Sequence, residues 1–268
     1  MSETETAFEF GRNWERFVAR ALDDGRIDIA RRHILEFLEL PDLRGRSFID
    51  VGCGSGLSSR AALDAGAARI ISFDCDPDSV RATERVREMS GNPPHWAVVR
   101  GSVLDDAFIA SLGRADIVYA WGVLHHTGRM WDAVERASRL VADGGLFYLA
   151  LYTTTPQSTH WVRVKKRYNA ASPARRRLME AAYFLRHTCA SNLVRGKSPL
   201  AFIRHYRRSR GMSYLTDVRD WLGGWPYEDA EIGEVLHFCN RKLGLELRNI
   251  RTGEANTEYL FKGSMAEG

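Results

Sequence analysis

The chain has 268 residues, of which 44% are hydrophobic and 27% charged, a composition typical of a folded globular protein with one sizeable core. No apolar run approaches the roughly 18 residues of a membrane-spanning helix, and the acidic N-terminus lacks the features of a signal peptide. A cytoplasmic location is therefore expected. The four cysteines form no Cys-x-x-Cys pair and have no histidine at metal-binding spacing, so we expect reduced thiols and no metal site.

The net charge of +4 conceals a strongly basic segment. Residues 161–210 contain fourteen Lys and Arg against a single acid, Glu180, so this segment alone carries +13. A concentrated field of one sign attracts anionic partners to one face of a protein. The alternative interpretation is a solvated helical surface without a partner.

The first 45 residues are predicted to be helical, because apolar side chains recur at intervals of three and four residues. From residue 46 to residue 152 strand and helix patterns alternate, which predicts a parallel sheet with helices on both faces. Gly144 and Gly145 are placed to end the last of these helices. The predicted strands are 47–51, 69–74, 96–101, 115–121 and 145–152, and the predicted helices are 57–66, 77–90, 105–112 and 130–141.

After Tyr152 this alternation stops for about 75 residues. Residues 153–228 are therefore predicted to form a basic helical insertion in a single domain, and residues 229–268 a closing helix and β-hairpin. Both ends of the insertion would lie at the carboxyl edge of the sheet, where open α/β sheets bind ligands. This placement favours a lid or a substrate pocket.

The motif that indicates function directly follows the first predicted strand. Residues 50–56 read Asp-Val-Gly-Cys-Gly-Ser-Gly, and alternate glycines allow a sharp turn that brings the backbone close to a ligand. Asp74 ends the second predicted strand, at nearly the spacing expected for a carboxylate that binds a ribose. A dinucleotide fingerprint would require glycine where the sequence has Leu57. The pattern predicts an adenosine-containing cofactor other than a dinucleotide.

The pattern Asp-x-Gly-x-Gly-x-Gly resembles motif I of the class I S-adenosylmethionine-dependent methyltransferases. The similarity extends through Asp74, residues 101–105 and residues 120–126, and it is closest to the ubiquinone-type small-molecule O-methyltransferases. The resemblance implies a Rossmann-like, doubly wound α/β fold with a seven-stranded sheet, mostly parallel with an antiparallel last strand. It also implies S-adenosyl-L-methionine as cofactor and S-adenosyl-L-homocysteine as product.

The resemblance further implies which residues bind the cofactor. Asp50 is expected to orient its ammonium group, the alternative being that Asp50 only caps the turn. Asp105 is expected to cap the following helix. The cofactor-binding residues so predicted are Asp50, Gly52, Cys53, Gly54, Gly56, Asp74, Cys75, Ser102, Val103 and Trp121.

His125 and His126 follow the fourth predicted strand, in the segment that faces the sulfonium in this family. Methyl transfer from a sulfonium is an in-line displacement that depends mainly on alignment. A base is needed only if the acceptor must lose a proton, which a histidine with a pKa near 6.5 can accept at neutral pH. Both histidines are therefore candidate catalytic residues, and the alternative is that they brace the loop.

Residues that would contact the acceptor come from two regions, the start of the chain and the borders of the insertion. Aromatic side chains on a loop rich in glycine and proline can close over a pocket and exclude water, or can anchor the insertion to the sheet. The candidates are Arg12, Asn13, Trp14, Tyr152, Trp225 and Tyr227.

Together these features predict a methyltransferase that acts on the oxygen or nitrogen of a small-molecule or lipid-like, anionic acceptor. The basic segment is compatible with contact to an anionic membrane surface, to a phosphorylated or lipid-linked acceptor, or to RNA. Nucleic acid is the weaker partner, because no recognisable RNA-binding module accompanies the charge. The alternative functions are a methyltransferase for tRNA or protein, and a non-catalytic module that binds S-adenosylmethionine.

Overall fold

The computed structural model describes residues 10–194, 196, 198, 201–203, 214–253 and 256–264. Within these residues, seven strands form one sheet in the order β3-β2-β1-β4-β5-β7-β6. The strands are β1 (Ser47–Val51), β2 (Arg69–Asp74), β3 (Trp96–Arg100), β4 (Ala115–Trp121), β5 (Val141–Tyr152), β6 (Glu246–Thr252) and β7 (Asn256–Lys262). The helices are α1 (Phe10–Ala21), α2 (Asp24–Leu38), α3 (Leu57–Asp64), α4 (Pro77–Met89), α5 (Asp106–Leu112), α6 (Met130–Ser138), α7 (Ser158–Asn169), α8 (Pro173–Tyr183), α9 (Ser191–Val194), α10 (Tyr214–Gly223) and α11 (Ile232–His237).

Strands β1 to β5 are parallel, and β7 runs antiparallel between β5 and β6. This confirms the predicted Rossmann-like α/β fold, with N-terminal helices and a helical insertion after the fifth strand. The strand order reverses between β1 and β4, which is the point where such sheets bind ligands. The turn at residues 50–56 lies at this reversal.

Two apolar cores cover the two faces of the sheet. Successive strand residues point to opposite faces, so Phe48 packs in one core with Tyr119, while its neighbour Ile49 packs in the other with Phe147. The first core lies under the N-terminal helices and contains Phe17 of α1. Burial of these side chains therefore holds α1 and α2 against this face of the sheet.

The predicted boundary between α6 and β5 is wrong. Helix α6 ends at Ser138 and β5 begins at Val141, so Gly144 and Gly145 lie inside the strand and do not end the helix. The pairing with β4 shifts register here, which makes β5 bulge. A Cβ on Gly145 would lie 3.0 Å from the carbonyl oxygen of Asp116, so the glycines allow the bulge to pack against β4.

The insertion leaves the sheet after Tyr152 and returns at Ala230, which pairs with Thr153. Its helices α7, α8 and α10 form a small core around Tyr168 and Leu222. Both ends of the insertion thus lie at the carboxyl edge of the sheet, beside the end of β4.

Helix α1 is held against the start of α4 by a close contact at Gly11. The amide of Gly11 donates to Asp76 Oδ2 at 2.8 Å, while Oδ1 of the same carboxylate caps α4 through the amide of Asp78. A Cβ on Gly11 would lie 2.4 Å from the Cβ of Asp78 and 2.6 Å from the amide nitrogen of Ser79. Glycine at this position is therefore a requirement of packing.

We expect Gly11→Ala to destabilise the protein, because overpacking of a close contact costs about 1–3 kcal/mol. Thermal denaturation followed by circular dichroism should show a lower Tm than that of the wild type. The control is Gly233→Ala in α11, where a Cβ would meet no atom within 4 Å. Equal Tm values for the two variants would contradict the close packing of α1 on α4.

Candidate active site

The turn between β1 and α3 has a backbone that only glycine adopts easily. Gly52 and Gly54 have φ values of +67° and +52°. A Cβ on Gly52 would lie 2.2 Å from the Cγ2 of Val123, and one on Gly54 would lie 3.1 Å from the Nε1 of Trp14. The bare backbone of this turn therefore lies between α1 and the loop that follows β4.

Two desolvated carboxylates stand beside this turn, at the ends of the neighbouring strands β1 and β2. Asp50 accepts a hydrogen bond from Ser59 Oγ at 2.5 Å, and burial, reinforced by the charge of Asp74, raises the pKa of Asp50 to about 7. Asp74 accepts from the amides of Gly54 and Asp76, yet burial still raises its pKa. A ligand that brings positive charge or hydroxyl donors would stabilise both ionised carboxylates.

The other predicted cofactor residues of this region border the same edge. Cys53 is buried, and the hydroxyl of Thr83 lies 3.2 Å from its sulfur, whereas Cys75 is exposed directly after Asp74. Gly56 closes the turn by donating from its amide to the carbonyl of Cys53 at 2.8 Å. Cys53 and Gly56 lie at this edge because they belong to the turn, and Cys75 lies there because it directly follows Asp74.

The loop after β3 packs against a residue that the sequence motif did not reveal, Phe108 of α5. Val103 is buried in the core, Ser102 Oγ accepts from the amide of Leu104 at 3.2 Å, and Asp105 caps α5 as expected. The ring of Phe108 packs over Gly101, where a Cβ would lie 2.2 Å from the Cζ of that ring. In the sequence, Gly101 before α5 was the available signal for this contact, since a glycine leaves room for a large neighbouring side chain.

Trp121 ends β4 and remains 39% exposed. Its Nε1 donates to Glu258 Oε1 on β7 at 3.3 Å, so the indole is held at the carboxyl edge of the sheet with one part open to solvent. This placement leaves an aromatic surface beside the turn.

His125 is buried and His126 is half-buried, and their surroundings differ. His126 Nδ1 lies 2.6 Å from the carbonyl oxygen of Pro226, and because a carbonyl can only accept, Nδ1 carries the proton. Burial, reinforced by the charge of Lys165, lowers the pKa of His126 to about 3. The nitrogens of His125 have no hydrogen-bond partner within the described part of the chain, and its ring lies 3.9 Å from that of Tyr152. Burial also lowers the pKa of His125, so both imidazoles are neutral.

Lys165 on α7 is fully buried in an aromatic cage that the sequence analysis did not predict. Its Nζ lies 4.6 Å from the ring centroid of Trp221, 5.1 Å from that of Tyr227 and 5.6 Å from that of Tyr152. The ammonium also donates to the carbonyl oxygen of Trp221. Burial lowers the pKa of Lys165 to about 7. The signal available was Tyr168, three residues later on the same face of the helix.

A second titratable group of this region, Asp220 on α10, was also missed as a site residue. Asp220 accepts a hydrogen bond from the side-chain nitrogen of Asn13 at 2.7 Å, which ties α1 to the insertion. Burial raises the pKa of Asp220 to about 8, while Asn13 and the charge of Lys165 act in the opposite direction. Lys165, Asp220, the two histidines, Tyr152 and Tyr227 form one cluster, which therefore contains one buried lysine and one half-buried carboxyl. The neighbouring side chain of Arg12, a predicted acceptor contact, lies outside the described part of the structure.

The remaining predicted acceptor residues lie in three different places. The rings of Tyr152 and Tyr227 lie 5.2 Å apart within the cluster, and the hydroxyl of Tyr227 donates to Asp229 at 3.2 Å. Trp225 instead packs against the ammonium of Lys166 at 5.0 Å, and it precedes a cis peptide bond to Pro226. Trp14 covers the glycine turn and not the cluster.

Within the ranges that the structure describes, no group of three His, Cys, Asp or Glu side chains is placed to hold a metal ion. The helices described there include none that is long and apolar enough to cross a bilayer.

The fold and the site together define a Rossmann-like domain of the methyltransferase type, with the glycine turn at its switch point. Residues 49–147 match the family model described as "Methyltransferase domain". These residues form a class I S-adenosylmethionine-dependent methyltransferase domain, which confirms the prediction from motif I.

Two curated relatives share this domain. A ribosomal protein L11 methyltransferase of Salmonella arizonae is 34% identical over 116 residues, which cover 43% of this chain and 37% of that protein. A ubiquinone biosynthesis O-methyltransferase of a Methylobacterium species is 30% identical over 128 residues, which cover 48% and 49% of the two chains. The chain thus spans less than half the length of these relatives.

A solved structure supports the fold over a longer stretch. The magnesium protoporphyrin IX methyltransferase of Synechocystis, crystallised with bound S-adenosylhomocysteine, superposes with a TM-score of 0.57 over 94% of each chain. The sequence identity is 12%, so this likeness concerns the fold alone.

The buried carboxyl of Asp50 makes a testable contribution to stability. The native carboxyl keeps its proton up to about pH 7, whereas the unfolded chain releases it near pH 4, so ionisation of Asp50 destabilises the fold increasingly between these values. We expect the free energy of unfolding of Asp50→Asn, relative to the wild type, to rise by about 2 kcal/mol from pH 5 to pH 8. Urea denaturation at the two pH values measures this difference.

Asp116→Asn is the control for this experiment, because hydrogen bonds from the amide and hydroxyl of Ser47 lower the pKa of Asp116. Its carboxylate stabilises the fold at any pH well above 4, so this variant should be destabilised to the same extent at pH 5 and pH 8. If the difference in the free energy of unfolding between Asp50→Asn and the wild type did not change with pH, the assignment of a buried, desolvated carboxyl would be refuted.

Proposed function

We propose that the protein binds S-adenosylmethionine at the glycine turn and transfers its methyl group to a small-molecule or lipid-like acceptor, with S-adenosylhomocysteine as product. The observation that carries this proposal is the bare turn at residues 50–56 with desolvated carboxylates on two neighbouring strands. When bound, S-adenosylmethionine supplies an activated methyl group on a sulfonium.

The residues present fit this cofactor. Gly52 and Gly54 offer backbone without side chains to its amino-acid end, and Asp50 orients the ammonium group. Asp74 accepts hydrogen bonds from the ribose hydroxyls, which replace the solvent that this carboxylate has lost. The cofactor thus brings to each acid the donor or charge that it lacks.

We place the acceptor beside the cluster formed by the two histidines, Tyr152, Tyr227 and Lys165. Aromatic rings exclude water around the reacting groups, which strengthens the electrostatic interactions within the site. A buried cation in this cluster favours an acceptor that is anionic or becomes anionic when it loses a proton. The cluster therefore suits an acidic hydroxyl on an aromatic or similarly apolar molecule.

Within this proposal, Lys165 accepts the proton of the acceptor and His126 fixes the loop at Pro226. A base works best when its pKa lies near the working pH. The pKa of Lys165 is about 7 and that of His126 about 3, so Lys165 is the stronger base at neutral pH. The Nδ1 proton of His126 is already used in the hydrogen bond to Pro226.

A macromolecular acceptor is the second candidate, and it is favoured by the relative whose name specifies ribosomal protein L11. That similarity extends over 43% of the chain, so it supports the methyltransferase domain more than the choice of acceptor. A non-catalytic module that binds the cofactor is the third candidate. Transfer from S-adenosylmethionine with a labelled methyl group, into separated metabolite, lipid, protein and RNA fractions, distinguishes all three. Our proposal requires label in the metabolite or lipid fraction.

Binding of S-adenosylhomocysteine, measured by isothermal titration calorimetry, tests the cofactor site. We expect Asp74→Ala and Asp74→Asn to weaken binding by about tenfold to a hundredfold, since hydrogen bonds to a charged group contribute about 1.5–3 kcal/mol. The control Asp64→Asn, on an exposed ion pair at the end of α3, should bind as the wild type does. Unchanged affinity in both Asp74 variants would overturn the ribose assignment.

The pH dependence of kcat/KM tests which residue is the base. With Lys165 as base, kcat/KM should rise between pH 6 and pH 8, because the native pKa of Lys165 is about 7 and only its neutral form accepts a proton. Lys165→Met should abolish this rise and lower kcat by about a hundredfold or more. With His126 as base, kcat/KM would not change above about pH 5, since its pKa is about 3.

His126→Asn separates the two roles of the histidine further, because asparagine retains a donor for the carbonyl of Pro226 but has no basic nitrogen. We expect this variant to keep the rise of kcat/KM with pH. A wild-type kcat/KM that does not rise above about pH 5, with a loss of kcat in His126→Asn and not in Lys165→Met, would assign the proton to His126 instead.

A further inference from the structure

The insertion exposes one long helical surface to solvent. Helix α8 continues through a π-helical turn (Phe184–Ala190) into α9, and the residues at both junctions, Phe184 and Ser191, have α-helical φ and ψ values. We call this continuous run, residues 173–194, the outer helix.

The outer helix exposes four large apolar side chains, which we call the apolar stripe. Leu178, Leu185, Leu193 and Val194 are 70%, 61%, 64% and 89% exposed. Leu178 and Leu185 are seven residues apart and therefore share a face of the helix. Of the eight large hydrophobic side chains exposed in the described part of the chain, these four lie on one helix. Such a concentration of exposed apolar surface indicates an interaction site.

Arginines flank this stripe on the same helix. Arg175, Arg177 and Arg186 are exposed, and none of them forms an ion pair with a described residue. Arg176 differs, because its guanidinium turns inward and donates to the carbonyl oxygens of Tyr168 and Asn169 at 3.1 and 2.7 Å. One arginine of the row thus stabilises the insertion, while its neighbours on both sides point to solvent.

The outer helix has no free acid to balance these charges. Its one acid, Glu180, accepts hydrogen bonds from the hydroxyl of Tyr168 at 2.7 Å and from Arg219 Nε at 3.2 Å. Glu180 therefore joins α8 to α7 and α10. The solvent-facing side of the outer helix combines large aliphatic side chains with uncompensated positive charge.

We infer that the outer helix docks on the surface of an anionic phospholipid bilayer, lying in its plane. Leucine and valine side chains would enter the boundary between headgroups and acyl chains, and the flanking arginines would bind the anionic headgroups. A helix that lies in the interface combines an apolar face with a basic polar face, as the outer helix does.

Other occupants match this surface less well. A second copy of the chain would bring two segments of high positive charge together, which repel each other. A nucleic acid would bind the arginines but would give the exposed leucines no apolar partner. A lipid surface complements both the charge and the apolar stripe.

The docking surface lies close in the fold to the acceptor cluster. Glu180 joins the outer helix to Tyr168 of α7, the helix that also carries Lys165. Docking would therefore hold the cluster near the bilayer, where a lipid-like acceptor is dissolved. Membrane docking itself does not depend on the proposed methyl transfer, because its test requires no acceptor.

Cosedimentation with lipid vesicles tests this inference on the full chain. We expect at least about tenfold tighter binding to phosphatidylcholine vesicles with about one-third phosphatidylglycerol than to pure phosphatidylcholine vesicles. The double variant Leu178→Gln, Leu185→Gln should lose at least about tenfold in binding, because each leucine no longer gains from leaving water. The matched control is Met89→Gln, Ile250→Gln, which changes two exposed hydrophobic residues elsewhere and should bind like the wild type.

A second pair of variants tests the charge. Arg175→Gln, Arg177→Gln should weaken binding by about tenfold at low salt, whereas Arg85→Gln, Arg114→Gln, which removes two positive charges elsewhere, should have little effect. Equal binding to both kinds of vesicle would overturn the inference. Unchanged binding by the leucine variant, together with equally tight binding of polyuridine RNA, would also overturn it, since the arginines would then serve any polyanion.

Discussion

The close approach of neighbouring elements to the bare backbone of glycines around the turn is the constraint on which the candidate site depends. Glycines at positions 11, 52 and 54 let α1, the turn and the loop after β4 converge to distances that a Cβ would prevent. Asp50 and Asp74 are desolvated beside this turn, which raises the pKa of both carboxyls, so ionisation of either acid is costly to the fold. Stability is thus given up at the place where a ligand with donors and positive charge would restore it.

The parts of the structure that follow from local sequence were predicted well. The turn after β1, the start of α4 at Pro77 and the Asp105 cap of α5 depend on residues within a few positions of one another. The start of β5 was not predictable in this way, because its bulge depends on the contact between Gly145 and Asp116 of a neighbouring strand. Glycine signals a break in a helix and a bulge in a strand equally.

The basic segment shows the same limit for side chains. In the sequence its arginines and lysines form one run of like charge. In the structure some of these side chains point into the protein and others point to solvent. Arg176 donates to carbonyl oxygens and Lys165 enters an aromatic cage, while Arg175 and Arg177 face solvent. These differences arise from the packing of α7, α8 and α10, and charge composition contains no information about them. The charge of the segment predicted an anionic partner, whereas the direction of each side chain indicates where that partner would bind.

Burial of Lys165 is the strongest indication that the cluster has a function beyond holding the insertion in place. Thirteen other basic residues of the segment 161–210 offer the same charge, and a buried ammonium contributes less to stability than a well-packed apolar side chain would. An amphipathic insertion helix needs an apolar residue at this position if packing alone matters. A lysine whose pKa is lowered to about 7 beside a half-buried acid, Asp220, and two neutral imidazoles is instead able to take up and release a proton at neutral pH. That ability is what an acceptor with an acidic hydroxyl requires.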